Sequence, residues 1–208
     1  MTNNFWNERY ADEAYAYGVE PNQFLAENLS FLPAHGPAHG PTHGKVLCLA
    51  EGEGRNATYL ATQGFSVTAI DFSNAGKAKA ERLAKSKDVA IDYHVADLAH
   101  FDFGQNCWDA IVSIFAHTPS TLRRSIHDKV KSSLKTNGVF MLEAYAPKHL
   151  GYDTGGPKDP DMLVSLDELQ TAFAGFDTLH AEELEKTVVE GLFHTGQAYV
   201  TQFIVRKP

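Results

Sequence analysis

The sequence predicts an α/β fold: a doubly wound, mostly parallel sheet that ends in a C-terminal antiparallel strand pair. From Lys45 onward, short apolar runs alternate five times with helix-patterned stretches, the pattern of a parallel sheet covered by helices on both faces. A Gly-x-Gly turn, Gly52 and Gly54, lies between the first run and the first helix. The stretch Asp177 to Arg206 alternates like two paired strands.

Each element follows from local signals. Asn4 to Leu32 looks helical but is interrupted by Gly18 and Pro21, which predicts two short helices around a turn. Residues 33–44 repeat Pro-Ala/Thr-His-Gly, and Pro and Gly at that density hold neither a helix nor a central strand. Strands are predicted at Lys45–Ala50, Ser66–Ile70, Ala90–Val95, Trp108–Phe115 and Val139–Tyr145. Helices are predicted at Arg55–Gly64, closed by its C-terminal glycine, at Asn74–Lys87 and at Leu122–Leu134, with a turn at Asn137-Gly138. Ala146 to Met162 is a long loop, and loops of that length often form lids or binding loops. Ser165 caps a last helix, with Glu168 at the capping-box spacing. The domain reading is therefore an N-terminal helical segment at 1–32, a linker at 33–44 and one α/β domain at 45–208.

Composition narrows the function. The formal net charge is -8, which opposes a phosphate polymer, and no basic stripe is visible. Lys77 to Lys87, the densest basic stretch, reads as the solvated face of a helix. Two scattered cysteines, Cys48 and Cys107, form no disulfide framework and suit a reducing compartment. No apolar run nears the roughly 20 residues that span a bilayer, and no signal-peptide pattern opens the chain. The expectation is a cytoplasmic protein without nucleic-acid or membrane partners. His35, His39 and His43 recur every four residues, but Pro and Gly deny them a common helix face. They read as part of a solvated linker with no catalytic metal.

In a doubly wound sheet, ligands bind at the carboxyl ends of the strands. The glycine turn lets a ligand approach the backbone there, and Asp71, at the tip of the second strand, suits ribose hydroxyls. Two cofactor classes share this arrangement. A dinucleotide places its pyrophosphate at the helix N-terminus, where Glu51 and Glu53 would oppose it. S-adenosylmethionine has no phosphate and carries a sulfonium and an ammonium, so the acids favour it. Asp71 capping the next helix and a plain turn at the glycines remain the simpler alternatives.

The run Leu47-Cys48-Leu49-Ala50-Glu51-Gly52-Glu53-Gly54-Arg55-Asn56 resembles the first motif of the class I S-adenosylmethionine-dependent methyltransferases. Its Gly-x-Gly-Arg-Asn form is similar to the tellurite-resistance-like branch. Ile70-Asp71, Ala96-Asp97-Leu98 and Trp108 to Ser113 are similar to the later motifs, and Leu134 to Val139 resembles a Leu-Lys-Pro-Gly-Gly turn with Thr136 and Asn137 substituted. The resemblance implies a Rossmann-like seven-stranded fold. It also implies roles. Gly52, Gly54 and Asn56 belong to the loop under the methionine part, and Glu51 accepts from its amino group. Asp71 binds the ribose, and Phe72 packs on the adenine. Asp97 accepts from the adenine amino group, beside Ala96 and Leu98. Phe115 and His117 border the methyl group. Trp6 to Tyr10 and Tyr17 to Asn22 resemble a helical lid, in which Tyr17 closes over the cofactor and Arg9 faces a carboxylate or an anionic substrate. Packing of an amphipathic helix is the alternative for Trp6, Tyr10 and Tyr15.

Methyl transfer to a small-molecule nucleophile, a thiol or a chalcogen oxyanion, is the implied activity, with S-adenosylhomocysteine as product. A base is needed only if the nucleophile carries a proton. Histidine titrates nearest neutrality, so His117 is the first choice, with Glu143, Tyr145, His149, Tyr152, Asp153 and His194 behind it. Lys158 is a further cation for an anionic substrate. The motifs of base-modifying methyltransferases are absent after the fourth strand, where Phe115-Ala116-His117-Thr118-Pro119 stands. The rival readings are a nicotinamide-dependent oxidoreductase and a non-catalytic S-adenosylmethionine-binding protein.

Overall fold

The computed structural model describes residues 3–33 and 44–208. The predicted histidine repeat, His35, His39 and His43, and most of the 33–44 linker lie outside them. In chain order the elements are α1 (Asn3–Arg9), α2 (Gln23–Glu27), β1 (Lys45–Leu49), α3 (Arg55–Thr62), β2 (Ser66–Asp71), α4 (Asn74–Ser86), β3 (Asp92–Val95), β4 (Trp108–Ile114), α5 (Ser120–Ser133), β5 (Leu134–Tyr145), α6 (Leu166–Ala172), β6 (Asp177–Glu190) and β7 (His194–Arg206). Seven strands form one sheet in the order β3-β2-β1-β4-β5-β7-β6. The first five strands are parallel, and β7 runs antiparallel to both β5 and β6. This is the Rossmann-like doubly wound sheet with its C-terminal antiparallel pair.

Strand alternation splits the core between the two faces. Val46 and Cys48 of β1 pack with Ala57 and Leu60 of α3, Ala80 of α4 and Phe24 of α2. Leu47 and Leu49 pack with Ile126 and Val130 of α5 and Leu169 of α6. Both sides of β1 are therefore buried, as a central parallel strand requires. Strand order reverses between β1 and β4, which opens a crevice beyond their carboxyl ends.

Several predicted caps form. Gly64 has φ 89°. Phe65 N donates to Leu60 O and Gly64 N to Ala61 O, the paired bonds of a Schellman end to α3. The Ser165 side chain accepts from Glu168 N at the start of α6, while the Glu168 carboxylate turns to Arg123 at 2.8 Å.

Other expectations are corrected. The N-terminal stretch holds the two short helices expected, α1 and α2, but the turn between them widens to residues 10–22, all turns and irregular backbone. There Ala16 N and Tyr17 N donate to the Glu53 carboxylate instead of to carbonyls one turn back. Strand β5 starts at Leu134, ahead of the predicted turn. Asn137 keeps a left-handed φ of 62° within it, and the register against β4 slips between Trp108 and Ala110. Lys79 does not share the solvated face of its helix. It is 3% exposed, and its Nζ lies 2.7 Å from Glu53 Oε1. Among the described residues, no helix is long and apolar enough to cross a membrane.

Candidate functional site

The chain turns sharply after β1. Ala50, Gly52 and Gly54 all have positive φ, at 50°, 63° and 84°. At Gly52 two further constraints act. A Cβ there would sit 2.7 Å from the Tyr10 hydroxyl. Its peptide groups are held on both sides: Gly52 N donates to Asp71 Oδ2 at 3.0 Å, and Gly52 O accepts from the Tyr93 hydroxyl at 2.6 Å. Asp71 Oδ1 accepts from Ser73 N. Asp71 thus braces the turn and does not cap α4, whose N-cap is Ser73.

The three acids have different fates. Glu51 reaches forward six residues, and its Oε1 accepts from Ala57 N at 2.7 Å in the first turn of α3. It fills the place where a phosphate would seek free N–H groups. Burial pushes its carboxyl up to about 7, against the pull of the Ala57 N–H and Arg55. Burial also raises Asp71, although three backbone N–H groups stabilise its charge. Glu53 is neutralised by Lys79 and turned toward residues 16–17. Expecting both Glu51 and Glu53 to repel a pyrophosphate is therefore corrected. Glu51 occupies the helix end, and Glu53 is a structural ion pair.

Beyond the turn lies a cavity of about 590 Å³. Its walls bring together twelve residues singled out from the sequence: Arg9, Tyr17, Glu51, Gly52, Asn56, Asp71, Phe72, Ala96, Asp97, Leu98, Phe115 and His117. Gly54 is not among its lining residues. A Cβ on Gly54 would overlap Ala80 of α4, so this glycine serves close packing of α3 on α4. Asn56 also holds the fold, since its Oδ1 accepts from Asn22 N and ties α3 to the N-terminal segment. Lys158 stays outside and donates to Tyr152 O.

Three segments wall the cavity. Trp6 of α1 and Tyr10 just beyond it stack with centroids 5.6 Å apart, and both line the cavity. They are packing residues and cavity walls at once. The β6–β7 hairpin tip brings Phe193 and His194, and the predicted lid loop brings Gly155, Gly156 and Pro157. The Arg9 guanidinium lies 4.0 Å over the Phe193 ring, and Leu192 N donates to Ala16 O. Phe193 escapes a sequence reading because nothing local marks it; it arrives only because a long hairpin folds back over the strand ends.

At the end near β4, ring groups converge. His117 stacks on Tyr145 at 5.3 Å, and Tyr145 stacks on His149 at 3.7 Å. Phe115 and His194 lie edge-on at 5.0 Å. His117 Nδ1 faces Met162 O at 3.3 Å, and burial drags its imidazole down to about 3. The reason for choosing it as the base, a titration near neutrality, therefore fails. Glu143 fails too, since it is fully buried with Lys186 at 2.9 Å. His117 Nε2 and the Tyr145 hydroxyl are buried without a partner, so this end has unmet hydrogen-bonding capacity.

Residues 46–138 match the family model described as a methyltransferase domain. No curated protein matches the sequence. Solved structures match along almost the whole chain. TehB from Haemophilus influenzae aligns at a TM-score of 0.72 and 18% identity, over 99% of this chain and 67% of that one. A SAM-dependent methyltransferase from Aquifex aeolicus aligns at 0.65 and 16% identity, over 100% of both. A structure solved for the conversion of a disulfide bond into a thioacetal group during echinomycin biosynthesis aligns at 0.73 and 16%, over 98% and 88%. The methyltransferase-domain match over residues 46–138 and a fold like that of solved S-adenosylmethionine-dependent methyltransferases support an enzyme that uses S-adenosylmethionine. The matched stretch runs from β1 to the start of β5 and contains the glycine turn, Asp71 and Asp97.

Proposed function

We propose that this chain transfers the methyl group of S-adenosylmethionine to a small-molecule nucleophile. The carrying observation is Glu51: the chain's own carboxylate caps α3 at 2.7 Å. That excludes a pyrophosphate and leaves acidic surroundings for a cationic nucleoside. Gly52 and Glu51 would hold the methionine part, Asp71 the ribose, and Phe72, Ala96, Asp97 and Leu98 the adenine. Arg9 and Tyr17 would close over it. The bound group supplies an activated methyl, so the protein's part is alignment and exclusion of water.

A small acceptor is supported by the covers, since α1, the hairpin tip and the lid loop leave a limited volume shared with the nucleoside. The net charge of -8 speaks against nucleic acid. The Gly-x-Gly-Arg-Asn stretch supports the tellurite-resistance-like branch. The disulfide-to-thioacetal chemistry of the echinomycin relative keeps sulfur acceptors in the panel. Free Cys48 and Cys107 suit the cytoplasm. We place residues 1–32 as a lid on the 45–208 domain.

Calorimetry with S-adenosylhomocysteine and with NAD tests the cofactor. Tight binding of the first, lost in Asp71→Ala, is expected; a preference for NAD would overturn it. Labelled-methyl transfer to thiols, chalcogen oxyanions, amines and phenols then tests the acceptor class, and transfer to none would leave only a binding protein.

A further inference from the structure

Two imidazoles line the end of the cavity near β4, and their surroundings differ. His117 donates from Nδ1 toward a carbonyl, with no carboxylate to receive it. His194 opens β7 and pairs across the hairpin with Glu190, the last residue of β6. Its Nδ1 is buried without a hydrogen-bond partner and lies 3.6 Å from Glu190 Oε2. Such distances shorten when a site is filled.

Glu190 cannot swing away. Asn22 Nδ2 donates to its Oε1 at 2.8 Å, and Arg55 Nη2 to its Oε2 at 2.6 Å. Burial alone would raise this carboxyl, but His194, Arg55 and Asn22 outweigh burial and hold it at about 2. It is a fixed negative charge. The other groups facing His194 are aromatic: Tyr17 at 4.6 Å, Phe115 at 5.0 Å and Tyr145 at 5.5 Å. The nearby His117 and His149 are both pulled down by burial, so they add no charge of their own at neutral pH. Two cations lie nearby: Arg55, which Glu190 already engages, and Arg9, which stacks over the neighbouring Phe193 ring.

Resting on the methyl transfer proposed above, we infer that His194 Nε2 takes the acceptor's proton, that Glu190 holds the ring in its Nδ1–H tautomer, and that the acceptor is a neutral thiol or phenol. Glu190 is a positioning residue. The bond formed joins the acceptor heteroatom to the methyl carbon. The bond broken is carbon–sulfur, with its electron pair left on sulfur. The heteroatom's proton passes to His194 Nε2. One positive charge is lost at sulfur and one appears on the imidazole beside Glu190, so the cavity's net charge does not change. The aromatic walls suit an acceptor that arrives uncharged.

Two readouts test this. The first needs no turnover: ¹⁵N spectra of the free protein show His194 as the Nδ1–H tautomer, and Glu190→Gln weakens that preference. A wild-type Nε2–H tautomer overturns the inference. The second compares two acceptors at pH 7: 2-mercaptoethanol, a protonated thiol, and iodide, which has no proton. In His194→Gln, kcat/KM for the thiol falls about 100-fold or more, whereas iodide changes by less than about threefold. Equal losses, or none, overturn the inference; if neither probe reacts, the tautomer decides. Failure to bind S-adenosylhomocysteine would sink the methyl-transfer reading instead and leave the tautomer result standing.

Discussion

Replacing Glu51 with Gln isolates one buried charge. The glutamine carbonyl keeps the bond that Ala57 N now gives to Glu51 Oε1, so the main change is loss of ionisation. In the folded chain burial lifts this carboxyl from 4.5 to about 7. A raised acid stabilises the fold fully below its unfolded value, and that contribution is lost as pH climbs through the folded value. The wild-type protein therefore loses roughly 2–3 kcal/mol from this group between about pH 5 and about pH 8. The variant lacks that loss, and other titrating groups cancel in the comparison. Urea unfolding of both proteins across this range should show the variant's stability rising relative to wild type by that amount. A difference that stays flat with pH would refute the burial argument. The same carboxyl links to binding: a cationic amine favours its charged form, so S-adenosylhomocysteine affinity should tighten from about pH 6 to about pH 8 in wild type. Calorimetry should find that rise blunted in the variant.

Lys79→Met strands the buried Glu53 carboxylate and should cost about 3–5 kcal/mol in urea unfolding; a loss below about 1 kcal/mol would mean that water reaches the pair. Gly52→Ala drives a Cβ into the Tyr10 hydroxyl at positive φ, so S-adenosylhomocysteine affinity should fall at least about tenfold, with unaltered binding by calorimetry as the contrary result. Phe140→Ala empties a fully buried position between Phe173 and His127 and should lower stability by about 3–5 kcal/mol while leaving cofactor affinity unchanged.

The parallel half of the fold is legible because its signals are local. Strands β1, β2 and β4 begin at Lys45, Ser66 and Trp108 as the apolar runs indicate, and Ser165 and Gly64 act as the caps their positions suggest. The two N-terminal helices are legible, but the length of the connection between them is not, because the N–H groups of Ala16 and Tyr17 pair with Glu53, more than 30 residues away. Lys79 is misleading because helical spacing does not reveal a buried acid on another element. Gly54 reads as a ligand residue because a Gly-x-Gly turn does not show which glycine faces the cavity and which faces α4.

By itself the sequence determined the doubly wound sheet, the glycine turn and the acids at the strand tips, since these depend on periodicity and on residues close along the chain. Only the tertiary structure decided which acid caps α3, which is neutralised, and which imidazole has a carboxylate behind it. Those outcomes depend on burial and on contacts such as Glu190 with Asn22, 168 residues apart, where charge and desolvation are set by neighbours that no local pattern names.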